Sequence, residues 1–188
     1  MSAREYERAI SSFAGAENAF TAGILKRDWV VEHGAFKQVM CLLALSSTTP
    51  AKVNETLKAF EAFVAKFPES RLLPDALIGL GKALILAEQP GAARKQFEKV
   101  VKLAGEKKLF VTIAFRARLG LASAYAKEQD WTHAIPEFES IEKKAGDELR
   151  FVKNALAKKL LDETRLTAAG ARGDAMITRA ESSNREDD

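Results

Sequence analysis

Two stretches of this chain repeat one pattern of large apolar and small residues, and that repetition restricts the possible folds more than any other feature. Aligning Ala93-x-x-x-Phe97 with Ala134-x-x-x-Phe138 places Leu77, Leu80, Gly81 and Leu84 upstream of the first. Leu121, Ala122 and Tyr125 fall at matching offsets upstream of the second. A weaker third copy runs through Met40, Leu43, Ala44, Thr56 and Phe60 and closes at Pro68, so the Phe anchors are spaced by 37 and then 41 positions. The pattern has a packing logic. Gly81 or Ala122 lets a second helix approach closely, Ala93 or Ala134 is the small residue offered in return, and Phe97 or Phe138 fills the space between successive units. A lone helix pair would leave that phenylalanine in water.

Between these anchors Gly and Pro are sparse, 11 and 5 of 188 residues. The intervening stretches are rich in Ala, Leu, Lys, Glu and Phe, a helical composition. The chain reads as all-α, with helices predicted at about 3–22, 28–46, 51–66, 72–87, 91–104, 110–127, 131–144 and 148–166. Thr49-Pro50 fits a helix start, with the Thr hydroxyl as cap and Pro where no amide hydrogen is needed. Pro68 ends the preceding helix by biasing Phe67 away from helical geometry. Gln89-Pro90-Gly91 breaks the next run, and Asp130 precedes a new amphipathic segment that it can cap.

The pattern resembles the tetratricopeptide repeat (TPR), a helix-turn-helix unit of about 34 residues. Residues 74–105 match best, through Leu77-x-x-Leu80-Gly81-x-x-Leu84 and Ala93-x-x-x-Phe97, with Gly105 where the family has Pro. Residues 115–146 follow, with Arg118 at the first large position, and the copy at 37–68 carries Ser47 and Thr56 in place of the aromatic and the Ala. Phe60-x-x-Phe63-x-x-x-Phe67-Pro68-Glu69-Ser70 followed by Pro74-Asp75-Ala76-Leu77 is also similar to the longer-looped repeats of bacterial envelope proteins. Those are the outer-membrane assembly lipoproteins, the periplasmic coordinator of the Tol-Pal system and the translocon-associated family. The resemblance implies a right-handed α-α superhelix, a TPR-like solenoid of about three to four helical hairpins with a C-terminal capping helix. It specifies a fold better than a partner, because one scaffold hosts many binding functions.

The domain reading follows. Tyr6, Ala9, Phe13 and Ala16 recur at helix spacing, so residues 1–36 are expected to form N-terminal helices that make a degenerate repeat. TPR-like repeats occupy 37–146. Leu149, Val152, Leu156 and Leu160 form a stripe suited to a capping helix over 147–167. Residues 168–188, with Ala169-Gly170-Ala171-Arg172-Gly173-Asp174 and a terminal Glu186-Asp187-Asp188, are expected to be a flexible tail.

Composition removes several functions. With 47% apolar residues a sizeable core is available, and 29 basic against 26 acidic side chains leave a net charge of only +3. The signs are mixed along the chain, so no track for a nucleic-acid backbone is implied. No apolar run follows a basic flank near Met1, so no signal peptide or membrane span is expected. A cytoplasmic location is expected of the sequence as it stands, and a periplasmic or membrane-associated one if an export signal has been removed. Cys41 is the single cysteine and His residues number two, too few for a disulfide or a Cys/His zinc cluster.

The chemistry-bearing residues favour plain readings. Cys41 lies in the apolar run 39–44, where thiols are normally buried and unreactive. His33 sits eight residues from it, too far for direct acid-base contact. His133 falls in a first helical turn after Asp130, facing solvent. Glu137, Glu139 and Glu142 read as a solvated face with Glu139 and Lys143 in support. Gly79-Leu80-Gly81-Lys82 lacks the spacing and hydroxyl of a phosphate loop, and Asn54-Glu55-Thr56 is a chance-level glycosylation match inside a helix. No catalytic residue, cofactor or metal is expected. Three basic groupings stand out: Lys102 with Lys107 and Lys108, Arg116 with Arg118, and Lys153, Lys158 and Lys159 with Arg165. Arg116 and Arg118 lie on the first helix of a repeat, which lines the concave surface in the resembled architecture. There a guanidinium can grip a peptide carboxylate or join a salt bridge. A clamp for chaperone C-termini is not expected, because Cys41, Leu45 and Gly79 occupy its positions and only Arg116 matches a basic choice. Trp131 suits packing in an interhelical turn, and Trp29 suits either packing or a partner surface.

The expected function is a non-catalytic scaffold or assembly adaptor in a bacterial envelope complex, binding a protein or peptide through a TPR-like groove with Leu77, Lys82, Ile85, Arg116 and Arg118 as its contacts. A structural subunit without a groove is the alternative. An all-α enzyme or a nucleic-acid binder stands further back, since no recess of convergent polar groups and no basic track is visible.

Overall fold

The computed structural model describes residues 3–21, 28–107 and 110–186. Among these the chain forms eight α-helices, α1 (Ala3–Thr21), α2 (Asp28–Ser46), α3 (Val53–Lys66), α4 (Leu73–Leu86), α5 (Pro90–Lys107), α6 (Val111–Lys127), α7 (Trp131–Glu148) and α8 (Ala155–Glu186). A short 3-10 turn, Pro50–Lys52, precedes α3. Met1, Lys108, Asp187 and Asp188, used above in reading the ends and the basic groupings, lie outside the described residues.

The chain divides into two compact units, residues 1–89 and 90–188. In the first, α1 packs on α2, α2 on α3 and α3 on α4. In the second, α5 packs on α6, α6 on α7 and α7 on α8. This is an all-α protein of sequential, hairpin-like pairs. The best-matching stretch, 74–105, begins in one unit and ends in the other.

Local chemistry explains the boundaries. Phe67, before Pro68, leaves helical geometry at φ −126° and closes α3, as the restriction on residues preceding Pro requires. Asp130 caps α7, its side chain accepting from the His133 amide at 3.3 Å. Thr49 precedes Pro50 but makes no side-chain capping bond, so Pro50 alone sets that start.

The turns after α4 and α6 are the same turn. Glu88 and Gln129 both adopt the left-handed conformation, φ 57° and 59°. Gln89 N donates to Leu84 O at 2.9 Å and Asp130 N to Tyr125 O at 2.9 Å, while Glu88 N and Gln129 N donate three residues back, to Ile85 O and Ala126 O, each at 3.1 Å. This is the helix-ending motif normally built on glycine, here made twice without it.

The cores repeat as well. Ala76, Ala83, Ala93, Phe97 and Val100 are matched 41 positions later by Ala117, Ala124, Ala134, Phe138 and Ile141, all 0–1% exposed. Thr56 and Phe60, 37 positions before Ala93 and Phe97, are 0% exposed. The buried Thr56 hydroxyl is satisfied by donating to Lys52 O at 2.9 Å, which lets a polar residue stand where the other copies have Ala.

Four details differ from the sequence expectation. The helix predicted at 148–166 starts only at Ala155, with Leu149 and Val152 in the turn before it and Leu156 67% exposed. In the stretch 39–45 of α2 the buried residues are Val39, Leu42 and Leu45, one position from the predicted Met40, Leu43 and Ala44, which are half-buried. Apolar residues surround this stretch, so periodicity does not select its face. Gly81 is buried as expected, and two glycines that the sequence reading did not single out as crossings lie at close approaches: a Cβ on Gly79 would collide with the Phe60 ring and one on Gly120 with the Phe97 ring. Finally, 168–186 is not a tail but the second half of α8, with Ala168 at 0% and Ala175 at 4% exposure inside the second unit's core.

Candidate functional site

The five residues expected to bind a partner fall on α4 and α6. On α4, Leu77 is 4% exposed and belongs to the core. Lys82 is exposed and Ile85 half-buried. On α6, Arg116 is half-buried and, like Lys82, engaged in contacts of its own.

Arg118 is committed within its unit. Its Nε donates to Glu137 Oε1 at 2.6 Å, and its Nη2 to Glu137 Oε2 at 2.9 Å and to Ser140 Oγ at 3.0 Å. The guanidinium also lies over the Phe115 ring, 6.0 Å from its centroid. A two-pronged pair of this kind fixes orientation as well as charge. Arg118 stands 41 positions after Leu77, where the other copy buries a leucine, and it brings its own anion from α7 to that place. It clips α6 to α7 and has little left to offer a ligand.

A second polar constellation gathers at the start of α7. His133 Nδ1 lies 2.7 Å from Asp130 Oδ2, and Thr132 Oγ1 donates to Asp130 Oδ1 at 2.6 Å. The His133 ring stacks on Tyr125 with centroids 5.1 Å apart, and Arg94 lies 5.4 Å from the Tyr125 ring while pairing with Glu128 at 3.1 Å. Hydrogen bonds from Thr132 first, then His133, hold the Asp130 carboxyl below the usual carboxylate range. These contacts tie the turn at 128–130 to the first turn of α7.

An open cleft of about 510 Å³ runs between α7 and α8, lined by Glu139, Glu142, Lys143, Gly146, Leu149, Arg165 and Arg172. Its charges are mostly paired: Arg172 Nη2 lies 3.1 Å from Glu142 Oε2, and Arg165 Nη2 donates to Asp162 at 2.9 Å. Glu142 Oε2 is buried and makes no directed hydrogen bond, so its contact with Arg172 is one of charge. Sequence reading placed Glu142 on a solvated face and Arg172 in a tail, because nothing local announces that α8 folds back along α7.

Cys41 is half-buried. Burial pushes its thiol up, against a smaller opposing effect of Lys37, so the reactive thiolate is disfavoured. Trp29 is 55% exposed and meets His33 edge-on at 5.5 Å, while Trp131 packs against the second core. Among the described residues no group of three His, Cys, Asp or Glu side chains is placed to hold a metal ion, and no helix is long and apolar enough to cross a membrane. The chain matches no protein-family model, and no curated protein is similar to it.

Proposed function

We propose that this chain is a TPR-like helical-repeat scaffold that binds a protein or peptide without catalysing a reaction, as an adaptor in a larger complex. One observation carries the reading. The same left-handed turn, bounded by the same hydrogen bonds, recurs 41 residues apart beside matching buried small and aromatic positions. Repetition of a helix-turn-helix unit buries a continuous core while leaving one helix of each unit with a face free to vary.

Lys82 and Ile85 on α4, and Arg116 on α6, are the partner-contacting residues of the five. Leu77 and Arg118 support them from within, one as core and one as an interhelical clip. The experiment is affinity capture from the native organism with three full-length baits: wild type, Lys82→Ala/Ile85→Ala and Arg116→Ala. Loss of one stoichiometric partner with either variant, alongside normal helix content by circular dichroism, is the expected result. Equal recovery of every partner by all three baits rejects these residues as anchors. Arg118→Ala serves as the control and is expected to weaken the fold without selective loss of a partner.

A further inference from the structure

The end of the second unit away from the turn at 128–130 displays apolar side chains in a cationic surrounding. Leu149 and Val152 turn inward against the core. The backbone between α7 and α8 is held by amides of Leu149 donating to Ala145 O at 3.1 Å, Arg150 to Asp147 O at 3.2 Å, Phe151 to Glu148 O at 2.9 Å and Val152 to Glu148 O at 3.2 Å. Asn154 Oδ1 then accepts from the Ala157 amide at 2.9 Å and starts α8. With its anchors fixed inward, this tight turn directs Phe151 out at 75% exposure and Leu156 at 67%.

Phe110, the residue before α6, is 81% exposed. Helices α6 and α7 have 17 and 18 residues and are joined by the three-residue turn at 128–130, so the start of α6 and the close of α7 share one end of the unit. Three large apolar side chains therefore protrude there. Large exposed apolar groups clustered this way mark interaction sites.

Charge selects the partner. Arg150, Lys153 and Lys158 are exposed and, among the described residues, have no acidic partner. Residues 143–165 hold seven basic and four acidic side chains, an excess of three that equals the net charge of the whole chain. Immediately beside the protruding Phe151 and Leu156, residues 147–158 hold Arg150, Lys153 and Lys158 against Asp147 and Glu148. Backbone phosphates of a nucleic acid would use the cations and could stack on an aromatic ring, but would gain nothing from Leu156. A bilayer surface rich in anionic lipid uses both, burying apolar tips at the headgroup boundary while Lys and Arg meet phosphates.

We propose that this end of the second unit docks on an anionic membrane surface, with Phe151, Leu156 and Phe110 entering the headgroup region and Arg150, Lys153 and Lys158 contacting lipid phosphates. The test is co-sedimentation of the full chain with vesicles of equimolar phosphatidylcholine and phosphatidylserine, compared with phosphatidylcholine alone. The chain should sediment with the anionic vesicles only and be released as salt is raised. Phe151→Ser/Leu156→Ser should weaken binding roughly tenfold by removing apolar burial, and Lys153→Gln/Lys158→Gln by roughly tenfold or more through lost attraction. All four positions face solvent, so both variants should keep wild-type helix content by circular dichroism. Failure to sediment with anionic vesicles, equal binding to both kinds, or binding undiminished in both variants overturns the proposal. So does binding of a single-stranded oligonucleotide without vesicle binding, which would assign the surface to nucleic acid.

Discussion

Gly79 and Gly120 each lie beneath an aromatic ring, that of Phe60 and that of Phe97, with no room for a Cβ. Alanine would favour the helix by about 1 kcal/mol, whereas forcing a methyl into a filled core costs about 1–3 kcal/mol. A ring has no flexible end to yield, so the clash should win. Gly120→Ala is expected to lower stability by roughly 1–2 kcal/mol in urea unfolding, and Phe97→Leu/Gly120→Ala to lose less than the sum of its single changes. Arg118→Ala removes a pair whose side chains are 21% and 24% exposed. After allowance for solvent screening the cost should be about 1 kcal/mol, again read from the unfolding midpoint. Asp130 supplies a pH dependence. Its folded carboxyl is held below the ordinary value, so its stabilising contribution is present above the unfolded pKa and fades as pH falls through the folded one. Melting temperature plotted against pH should drop less steeply on the acid side in Asp130→Asn, which keeps an acceptor but cannot titrate.

Among the elements, α8 shows most clearly what a hydrophobic pattern conveys and what it misses. A helix over its first half is legible, but of the predicted stripe Leu149 and Val152 precede α8 and Leu156 is 67% exposed, the fully buried residue being Leu161. Its second half is anchored by Ala168 and Ala175, small residues whose apolar character is too slight to mark a face but whose size lets α7 come close. The run of Ala, Gly and Arg thus reads as a tail until α7 provides a surface for it. Truncation after Thr167 should cost the second unit roughly 2 kcal/mol, from two buried methyl groups at about 0.8 kcal/mol each and one partly exposed ion pair. Hydrogen exchange should then quicken along α7 around Ile141 and Ala145. An unchanged exchange rate there would mean that the second half of α8 contributes nothing. Helix α2 shows the opposite difficulty, since apolar residues are spread around its second half and the buried face there is chosen by α1, α3 and α4 rather than by its own sequence.

The molecule as a whole holds one tryptophan in each compact unit, Trp29 in the first and Trp131 in the second. Trp131 packs against its core while Trp29 is more than half exposed, so unfolding should change the emission of Trp131 more. In Trp29→Phe and Trp131→Phe backgrounds each unit can be followed alone. Gly120→Ala, which acts inside the second unit, should move the transition seen by Trp131 at least as far as that seen by Trp29. The reverse order would contradict the placement of Gly120 and Phe97 in the same core. At this scale the scaffold reading rests on repetition and the membrane reading on one end of one unit, so the capture and vesicle experiments can fail independently.

By itself the sequence determined that the chain is helical, where the helices break as far as α7, and that a small-residue and phenylalanine pattern recurs, because propensity, proline geometry and capping act within a few residues. It also placed Ala93, Ala122 and Ala134 among the buried positions. Only the tertiary structure decided which glycines lie under the rings, that Arg118 is spent on Glu137, that Leu77 is core and that α8 continues to Glu186. Those outcomes depend on which groups from distant segments meet, and a guanidinium or an alanine carries no local mark of the partner that will cover it.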